Sequence, residues 1–471
     1  MCGIAGQIRF SCDNKELKKG VEKMLSVLVH RGPDGQGLYN HGHVCFGMRR
    51  LTIIGLKNGW QPIWNEKKDV VCISNGEIYN YKQLKNTLEL KGHHFSTDSD
   101  IEVIVHLYEE YGEKFVTYLN GMFAIAIYDI NKDAVFLYRD RLGKKPLFYI
   151  QTDNGFYFAS EIKSILQCDE IKVQLSVSAL DHLLTFNYLP DAMTIFEGIS
   201  KLMPGEYIVI QNGKTRFYKY WKLIDFVGTN IVSEHEIISN LDNLLEESIE
   251  MRLQSDVPIG AFLSGGIDSS LVVAYISKIY KGIDTFSIGF SEKKYNELPY
   301  AREVSTLFAT THHEEIVNAD FFELLPKTIW LNDNPHGDVS FLPTFILSQM
   351  TAKYVKTVLT GDGGDELFAG YEKYLPYVSD SSMTEEDFYE KTSVFTKKEK
   401  AKLYSNKLRK LTKEDNCLDL INSLIAPLKD SCPDRLNRLL YLEIYLLLEG
   451  NNLVKPDRMG MGNSIEARMP L

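Results

Sequence analysis

The chain has no long apolar run, no basic tract, no low-complexity stretch and no internal repeat, and each absence removes a class of function. Its most apolar helical stretch, Leu439 to Leu448, is interrupted by Glu443 and is too short to span a bilayer, and the start carries no charged-then-apolar leader. A soluble, cytoplasmic protein without a membrane partner is expected. A formal charge of -11 with no cluster of Lys or Arg argues against nucleic acid, whose binding rests on neutralised phosphates. Seven cysteines form no Cys-x-x-Cys pair and have no histidines at zinc spacing, so neither a disulfide framework nor a structural metal is expected. Cys12, Cys45, Cys72, Cys168, Cys417 and Cys432 therefore read as structural.

At 471 residues the chain is too long for one core, and its texture changes midway. Residues 1–223 are rich in short strands such as Met122 to Tyr128 and Val135 to Tyr138, joined across Asn131-Lys132-Asp133 as a hairpin. Helical patterns interleave with them, at Leu17 to Val29, with Val21, Met24, Leu25 and Leu28 on one face, and at Ile101 to Tyr111. Pattern alone gives a mixed sheet protein here. A last hairpin, Glu206 to Ile210 and Thr215 to Trp221 about Asn212-Gly213, precedes a polar linker, Asp225 to Ser233. From 234 to 471 helices alternate with single apolar strands: Glu234 to Arg252, Ile259 to Leu263, Ser269 to Tyr280, Asp284 to Gly289. That alternation predicts a parallel sheet with helices on both faces. The charged helices after Ser381, with Lys397-Lys398-Glu399-Lys400, read as solvated, and the stripe Leu436, Leu439, Leu440, Leu442, Leu446, Leu447 as core.

Cys2 carries the sharpest chemistry. Removal of Met1 would give one residue both a thiol nucleophile and an α-amine whose ordinary pKa, roughly 8, suits proton transfer near neutrality. Alone, the position reads as an ordinary small residue at a frayed end. Two further segments change that reading: the turn His30-Arg31-Gly32-Pro33-Asp34-Gly35, and Ser74-Asn75-Gly76-Glu77-Ile78-Tyr79-Asn80 behind the buried strand Val70 to Ile73. An Asn side chain and a glycine N–H at a strand end can donate to a developing oxyanion. Together these segments resemble the glutaminase domain of the class II glutamine amidotransferases, over about the first 220 residues. The resemblance implies an α+β N-terminal nucleophile fold, a four-layer αββα sandwich. It also implies Cys2 as nucleophile, Asn75 and Gly76 as oxyanion hole, and Arg50, Glu77 and Asp100, with Asn75 and Gly76, as the glutamine site.

The second motif, Ser264-Gly265-Gly266-Ile267-Asp268-Ser269-Ser270, stands between an apolar strand and a helix, where small residues and helix N–H groups can cradle a phosphate. It lacks the Walker lysine and resembles the SGGxDS loop of the ATP pyrophosphatases, an α/β parallel-sheet fold. About ninety residues on, strand Thr357 to Leu359 runs into Thr360-Gly361-Asp362-Gly363-Gly364-Asp365-Glu366, a second loop at a strand end. Carboxylates facing a polyphosphate require a cation, which makes Asp268 and Asp365 magnesium ligands; helix capping is the plainer reading of Asp365 and Glu366.

Both motifs in this order resemble the glutamine-hydrolysing asparagine synthetases along the whole chain. That resemblance implies ATP and Mg2+, with nucleotide held by Phe262, Ser264, Gly265, Gly266, Asp268, Ser269, Ile288, Thr360 and Gly361. It makes Asp362 an acid that assists intermediate formation, and Lys455 or Arg458 the cation on departing pyrophosphate. It implies small-molecule partners only, glutamine, aspartate or another carboxylate, and ATP, with a homodimer open to it. Two departures stand out. Asn334 and His336 are unusual in Asp333-Asn334-Pro335-His336-Gly337-Asp338-Val339-Ser340, where His336 reads as a loop residue satisfied by backbone. The late motif Ser464 to Arg468 runs out at Leu471, so a C-terminal truncation is expected. The alternatives are an amidotransferase of the same build acting on another acid, such as a sugar carboxylate for envelope polysaccharide, and a binding or regulatory protein with an inactive synthetase half.

Overall fold

The computed structural model describes residues 2–10, 14–228, 233–317, 321–412, 417–429 and 431–471. Met1, Cys12 and positions 229–232 of the expected linker lie outside these described residues.

Two six-stranded antiparallel sheets make up the first half. One holds Cys2–Arg9 between Val44–Arg50 and Gly155–Ala159. The other runs from Val70–Ile78 through Gly121–Asp129 and Ala134–Arg139 to the hairpin Glu206–Gln211 and Lys214–Lys219. The central strands are apolar almost throughout because both faces are covered, while the edge strands Gly35–His41 and Lys214–Lys219 are polar and partly exposed. In Gly121–Asp129 the side chains of Ala124, Ala126 and Tyr128 enter the core between the sheets, while Phe123, Ile125 and Ile127 enter a second core under helices. Val71 and Ile73 divide from Val70 and Cys72 in the same way.

Helix Asn14–Ser26 lays Leu17, Val21, Met24 and Leu25 on the outer face of the first sheet against Ala5, Cys45 and Tyr157. Helices Tyr81–Leu90 and Val103–Tyr111 cover the second. The layers are therefore helix, sheet, sheet, helix. Each fully buried Ile or Leu contributes roughly 1.5–3 kcal/mol of transfer free energy.

The second half is built on five parallel strands in the order Thr311–Ile316, Asp284–Gly289, Ile259–Phe262, Thr357–Leu359, Glu466–Arg468. Strand order reverses between Ile259–Phe262 and Thr357–Leu359, and both glycine-rich loops leave the sheet at this switch point. The edge strand Glu466–Arg468, too short to show a period, was not expected from the sequence.

The leucine stripe is core, with Leu439, Leu442 and Leu446 fully buried. Its helix, Arg435–Glu443, runs on as a π-helix, Ile444–Asn452. The charged helices are not wholly solvated: Lys400 is buried, its Nζ 2.7 Å from both Asp181 Oδ2 and Thr185 Oγ1. Alternating charge along Lys397–Leu403 hides one residue whose partner comes from helix Val177–Phe186. No helix among the described residues is long and apolar enough to cross a membrane.

Candidate active sites

Cys2 opens the central strand of its sheet opposite Arg50, and its backbone N–H donates to Asn75 Oδ1 at 3.0 Å. Asn75 belongs to the facing sheet, so the sandwich itself brings the pair together. The other half of the amide, Asn75 Nδ2, is buried without a partner, a donor held ready beside the thiol. Gly76 follows on the strand next to Met122, where a Cβ would stand 2.0 Å from the Met122 carbonyl oxygen. A close approach of two backbones requires glycine there. Burial pushes the Cys2 thiol up, with Arg50 pulling the other way.

Arg50 is buried. Its Nη2 donates to the carbonyls of Ile54 (3.2 Å) and Gly55 (2.8 Å), its guanidinium lies 4.8 Å from the centre of the Trp60 ring, and Nη1 has no partner. Asp100 Oδ2 accepts from Ile78 N at 2.8 Å, which ties the helical turn before Val103–Tyr111 to the strand bearing Asn75. Burial lifts the Asp100 carboxyl to about 6, with Glu466 adding to the rise. Glu77 is raised further, by burial and by the charges of Asp100 and Glu466. Three buried carboxylates, Glu77, Asp100 and Glu466, thus converge where the sequence expects a substrate ammonium.

Sequence reasoning missed the cation that partly balances them. Arg468, fully buried, donates through Nε to Glu466 Oε1 at 2.6 Å and reaches Glu77 Oε1 at 3.5 Å. It comes from the last strand of the second half, so the second half completes the carboxylate cluster of the first. Arg31 was missed too. Its Nε donates to the Cys2 carbonyl at 3.2 Å, while Nη1 and Nη2 grip Asp457 bidentately at 2.9 and 3.0 Å and Nη1 also reaches Glu161 at 3.0 Å. Arg31 and Asp457 are 426 positions apart, and no local pattern reports such a pair.

The second site is a cavity of about 850 Å³ at the switch point of the parallel sheet. It is lined by Phe262, Ser264, Gly266, Asp268, Ser269, Ile288, Thr360, Gly361, Asp362, Asp365 and Lys455. Gly265 shapes the loop without lining the cavity: its φ is +85°, and a Cβ would meet Tyr300 Cβ at 2.5 Å. The Ser264 and Ser269 hydroxyls are 3.0 Å apart, and Gly266 N donates to Ser264 Oγ at 3.2 Å, presenting the start of helix Ile267–Ile279 to the cavity. Asp268 is raised by burial and by the charges of Asp365 and Asp362. Carboxylates crowded at the mouth of a helix N-terminus suit a divalent cation with oxygen ligands, so Asp268 and Asp365 fit magnesium. Asp362 is raised as well, by burial. Asn452, at the end of the π-helix, reaches the same cavity and donates to Glu366 Oε1 and to Tyr371 Oη.

One expected member is elsewhere. Arg458 does not line this cavity; it is buried at the domain interface, with Nη1 3.0 Å from Glu161 Oε1. Lys455, three residues earlier on helix Val454–Met461, faces the cavity and pairs with Asp338 Oδ2 at 2.9 Å. The helical turn separates the two cations that sequence spacing left equivalent. The two unusual residues also face the interface. Asn334 Oδ1 accepts from Ile195 N at 3.0 Å, and His336 Nδ1 accepts from Asp338 N at 3.1 Å while its ring packs on Phe341. Burial holds His336 down at about 4.

A glutamine amidotransferase domain model matches residues 1–221, and an asparagine synthase model matches residues 240–471. Asparagine synthetase (glutamine-hydrolyzing) 1 of Bacillus subtilis is 31% identical over 507 positions, covering 100% of this chain and 79% of that protein. Asparagine synthetase (glutamine-hydrolyzing) 3 of the same organism is 31% identical over 499 positions, covering 100% and 79%. Among solved structures, the glutamine phosphoribosylpyrophosphate amidotransferase from B. subtilis complexed with ADP and GMP aligns over 67% of this chain and 81% of its own, at 15% identity and a TM-score of 0.36. With both domain models matched in order and relatives aligned across its whole length, this chain belongs to the glutamine-hydrolysing asparagine synthetase family.

Proposed function

We propose that the protein makes asparagine from aspartate, ATP and glutamine, releasing glutamate, AMP and diphosphate. The observation that carries this reading is Arg31, whose single guanidinium holds the carbonyl of Cys2 and the carboxylate of Asp457, two residues along the helix from Lys455. Two sites built for different chemistry share one buried clamp.

At the first site Cys2 Sγ attacks the glutamine amide carbon. Once Met1 is removed, the nitrogen that Asn75 Oδ1 now holds is the α-amine, which takes the thiol proton and delivers it to departing ammonia; water, deprotonated by the same amine, then hydrolyses the Cys2 thioester and releases glutamate and the free thiol. Asn75 Nδ2 and the Gly76 N–H receive the oxyanion. Arg50 Nη1 takes the substrate carboxylate, and Glu77 and Asp100 take its ammonium.

At the second site the loop Ser264 to Ser269 holds the ATP phosphates, and Phe262, Ile288, Thr360 and Gly361 hold the nucleoside. Magnesium, when bound by Asp268 and Asp365, screens the phosphate charge. The acceptor carboxylate attacks the α-phosphorus and diphosphate leaves toward Lys455. A free carboxylate is a poor electrophile because its leaving group would be oxide; joined to AMP it can be attacked by ammonia. Asp362 stands within the same cavity to assist that intermediate.

The test is Cys2→Ala in the full chain. Asparagine and AMP should form with ammonium chloride and aspartate, while glutamine-driven synthesis falls at least a thousandfold. Glutaminase activity in Cys2→Ala, or AMP formation with other acids but never with aspartate, would overturn the assignment.

A further inference from the structure

Away from either site, four side chains of the amidotransferase half converge on one point. Glu66 lies in the turn between strands Ile63–Trp64 and Val70–Ile78, and His93 in the loop after helix Tyr81–Leu90. His106 and Glu109 stand one turn apart on helix Val103–Tyr111, and a ligand atom from each of the four lies within 4.8 Å of the others. The separations are tight: His106 Nδ1 is 3.2 Å from Glu66 Oε2 and 3.7 Å from Glu109 Oε2, and His93 Nδ1 is 3.6 Å from Glu66 Oε1 and 3.8 Å from Glu109 Oε2. A tetrahedral ion with bonds of about 2.0–2.2 Å sets its ligand atoms roughly 3.3–3.6 Å apart. The four histidine–carboxylate separations lie within a few tenths of an ångström of that shell, reached through both oxygens of Glu66, and one ligand atom from each residue lies within 4.8 Å of the others, so small side-chain rotations would close the set on an ion.

The decisive atom is His106 Nδ1. The ring is fully buried, yet Nδ1 has no hydrogen-bond partner, and Glu109 Oε2, which it faces, has none either. Leaving such groups unmet costs free energy in an apolar setting, and an ion between them would satisfy both. The surrounding groups turn the ligands inward. Lys67 Nζ takes Glu109 Oε1 at 3.2 Å and leaves Oε2 free, and His94 N donates to Glu66 Oε1 at 2.9 Å, leaving Oε2 toward His106. On the outer side of the rings, His93 Nε2 is 3.3 Å from Glu110 Oε1, and His106 Nε2 is 3.6 Å from Glu102 Oε1. A carboxylate bonded behind a ligating imidazole fixes its tautomer at a metal, as Glu110 does for His93; His106 Nε2, like its Nδ1, has no hydrogen-bond partner. Glu66 is about one-third exposed, which provides an entry path.

We propose that Glu66, His93, His106 and Glu109 form a structural site for a divalent transition metal, with zinc the ion that best suits two imidazoles and two carboxylates. The ion would staple helix Val103–Tyr111 to the loop at His93 and the turn at Glu66. That helix follows directly on Asp100, and Glu102 at its start holds the backbone of Ser96 (2.7 Å) and Thr97 (2.6 Å), so the site would brace the segment on which Asp100 rides. The cysteine spacings pointed away from any structural metal because these ligands are scattered histidines and glutamates.

The experiment uses the full chain carrying Cys2→Ala, which removes a competing thiol, stripped with EDTA and dialysed against micromolar zinc in excess magnesium. One equivalent of zinc should be retained, cobalt(II) in its place should give the visible bands of a four-coordinate N/O site, and zinc should raise the melting temperature. Adding His106→Ala should abolish all three. Should that variant fail to fold, Glu66→Gln, at a partly exposed position, should weaken zinc binding at least tenfold. Equal zinc uptake by the Cys2→Ala protein and its folded His106→Ala or Glu66→Gln derivatives, or no uptake at all, would overturn the proposal.

Discussion

Asp100→Asn should make the protein more stable and a far poorer user of glutamine. A buried carboxylate whose pKa has risen from an ordinary 3.8 to about 6 binds its proton more tightly folded than unfolded. Its charge is therefore a cost to the folded state: absent below the unfolded pKa, growing as pH rises from about 4 to 6, and constant above that. A rise of about two pKa units corresponds to roughly 3 kcal/mol at pH 7.5 and, by the same linkage relation, about half that at pH 5. Asparagine keeps an oxygen to accept from Ile78 N and carries no charge. Urea unfolding of wild type and Asp100→Asn should give a stability gain of up to about 3 kcal/mol at pH 7.5 that shrinks by about half at pH 5. Function should move the other way: a hydrogen bond to a charged group contributes about 1.5–3 kcal/mol, so kcat/KM for glutamine should fall roughly 10- to 150-fold with ammonia-driven synthesis intact. In the wild type, kcat/KM for glutamine should decline as pH falls through about 6, where Asp100 takes up its proton. A variant no more stable than wild type at pH 7.5, or a gain that does not change with pH, would refute the idea that this carboxylate is held charged against its surroundings.

Asp457→Asn leaves Arg31 buried with Glu161 as its remaining carboxylate partner; breaking a buried pair costs about 3–5 kcal/mol, so the urea midpoint should fall and glutamine-driven synthesis should drop more than ammonia-driven synthesis. Equal losses with the two nitrogen donors would show that Arg31 does not serve the cysteine site. Gly265→Ala puts a methyl group 2.5 Å from Tyr300 Cβ at a φ of +85°, so AMP formation should fall by orders of magnitude while glutamine hydrolysis without ATP is kept. Asp268→Ala should abolish diphosphate release at any magnesium concentration; unchanged release, measured by a coupled diphosphate assay, would remove Asp268 from the phosphate site.

The parts of this structure legible in the sequence were those set by short-range rules. Helix Glu234–Arg252 and strand Asp284–Gly289 fall where pattern puts them, the short apolar strand Thr357–Leu359 is marked by the glycine-rich loop that follows it, and the loops stand at strand ends as their composition required. The layering of the first half came from the family resemblance and not from pattern, because strands such as Gly121–Asp129 are buried on both faces and lose the alternation that would report a sheet with one wet side. Nor could spacing tell Lys455 from Arg458, since which cation faces the cavity depends on how Val454–Met461 docks. Arg31, Asp457, Glu466 and Arg468 stand in motifs the sequence singles out, yet their pairing, like Glu161 altogether, was not legible because the contacts join the two halves of the chain.

Those same residues explain why the two halves meet through buried charge when an apolar contact would be simpler and at least as stable. The interface has an apolar patch, in which Leu51, Ile53, Ile54, Tyr79 and Met122 pack with Met461. Beside it, Arg31, Lys163 and Arg458 are arrayed on Glu161, with Asp457 and Asp333 completing the set. Replacing buried ion pairs with well-packed apolar residues is often neutral or stabilising, so stability alone does not call for such a set. Directional bidentate pairs do something packing does poorly: they fix orientation, because a shift of an ångström breaks several charged contacts together. The proposed function passes a small nucleophile from one site to the other, which needs fixed orientation more than affinity. Arg31 meets that need most directly, since displacing Asp457 would move the guanidinium that holds the Cys2 carbonyl.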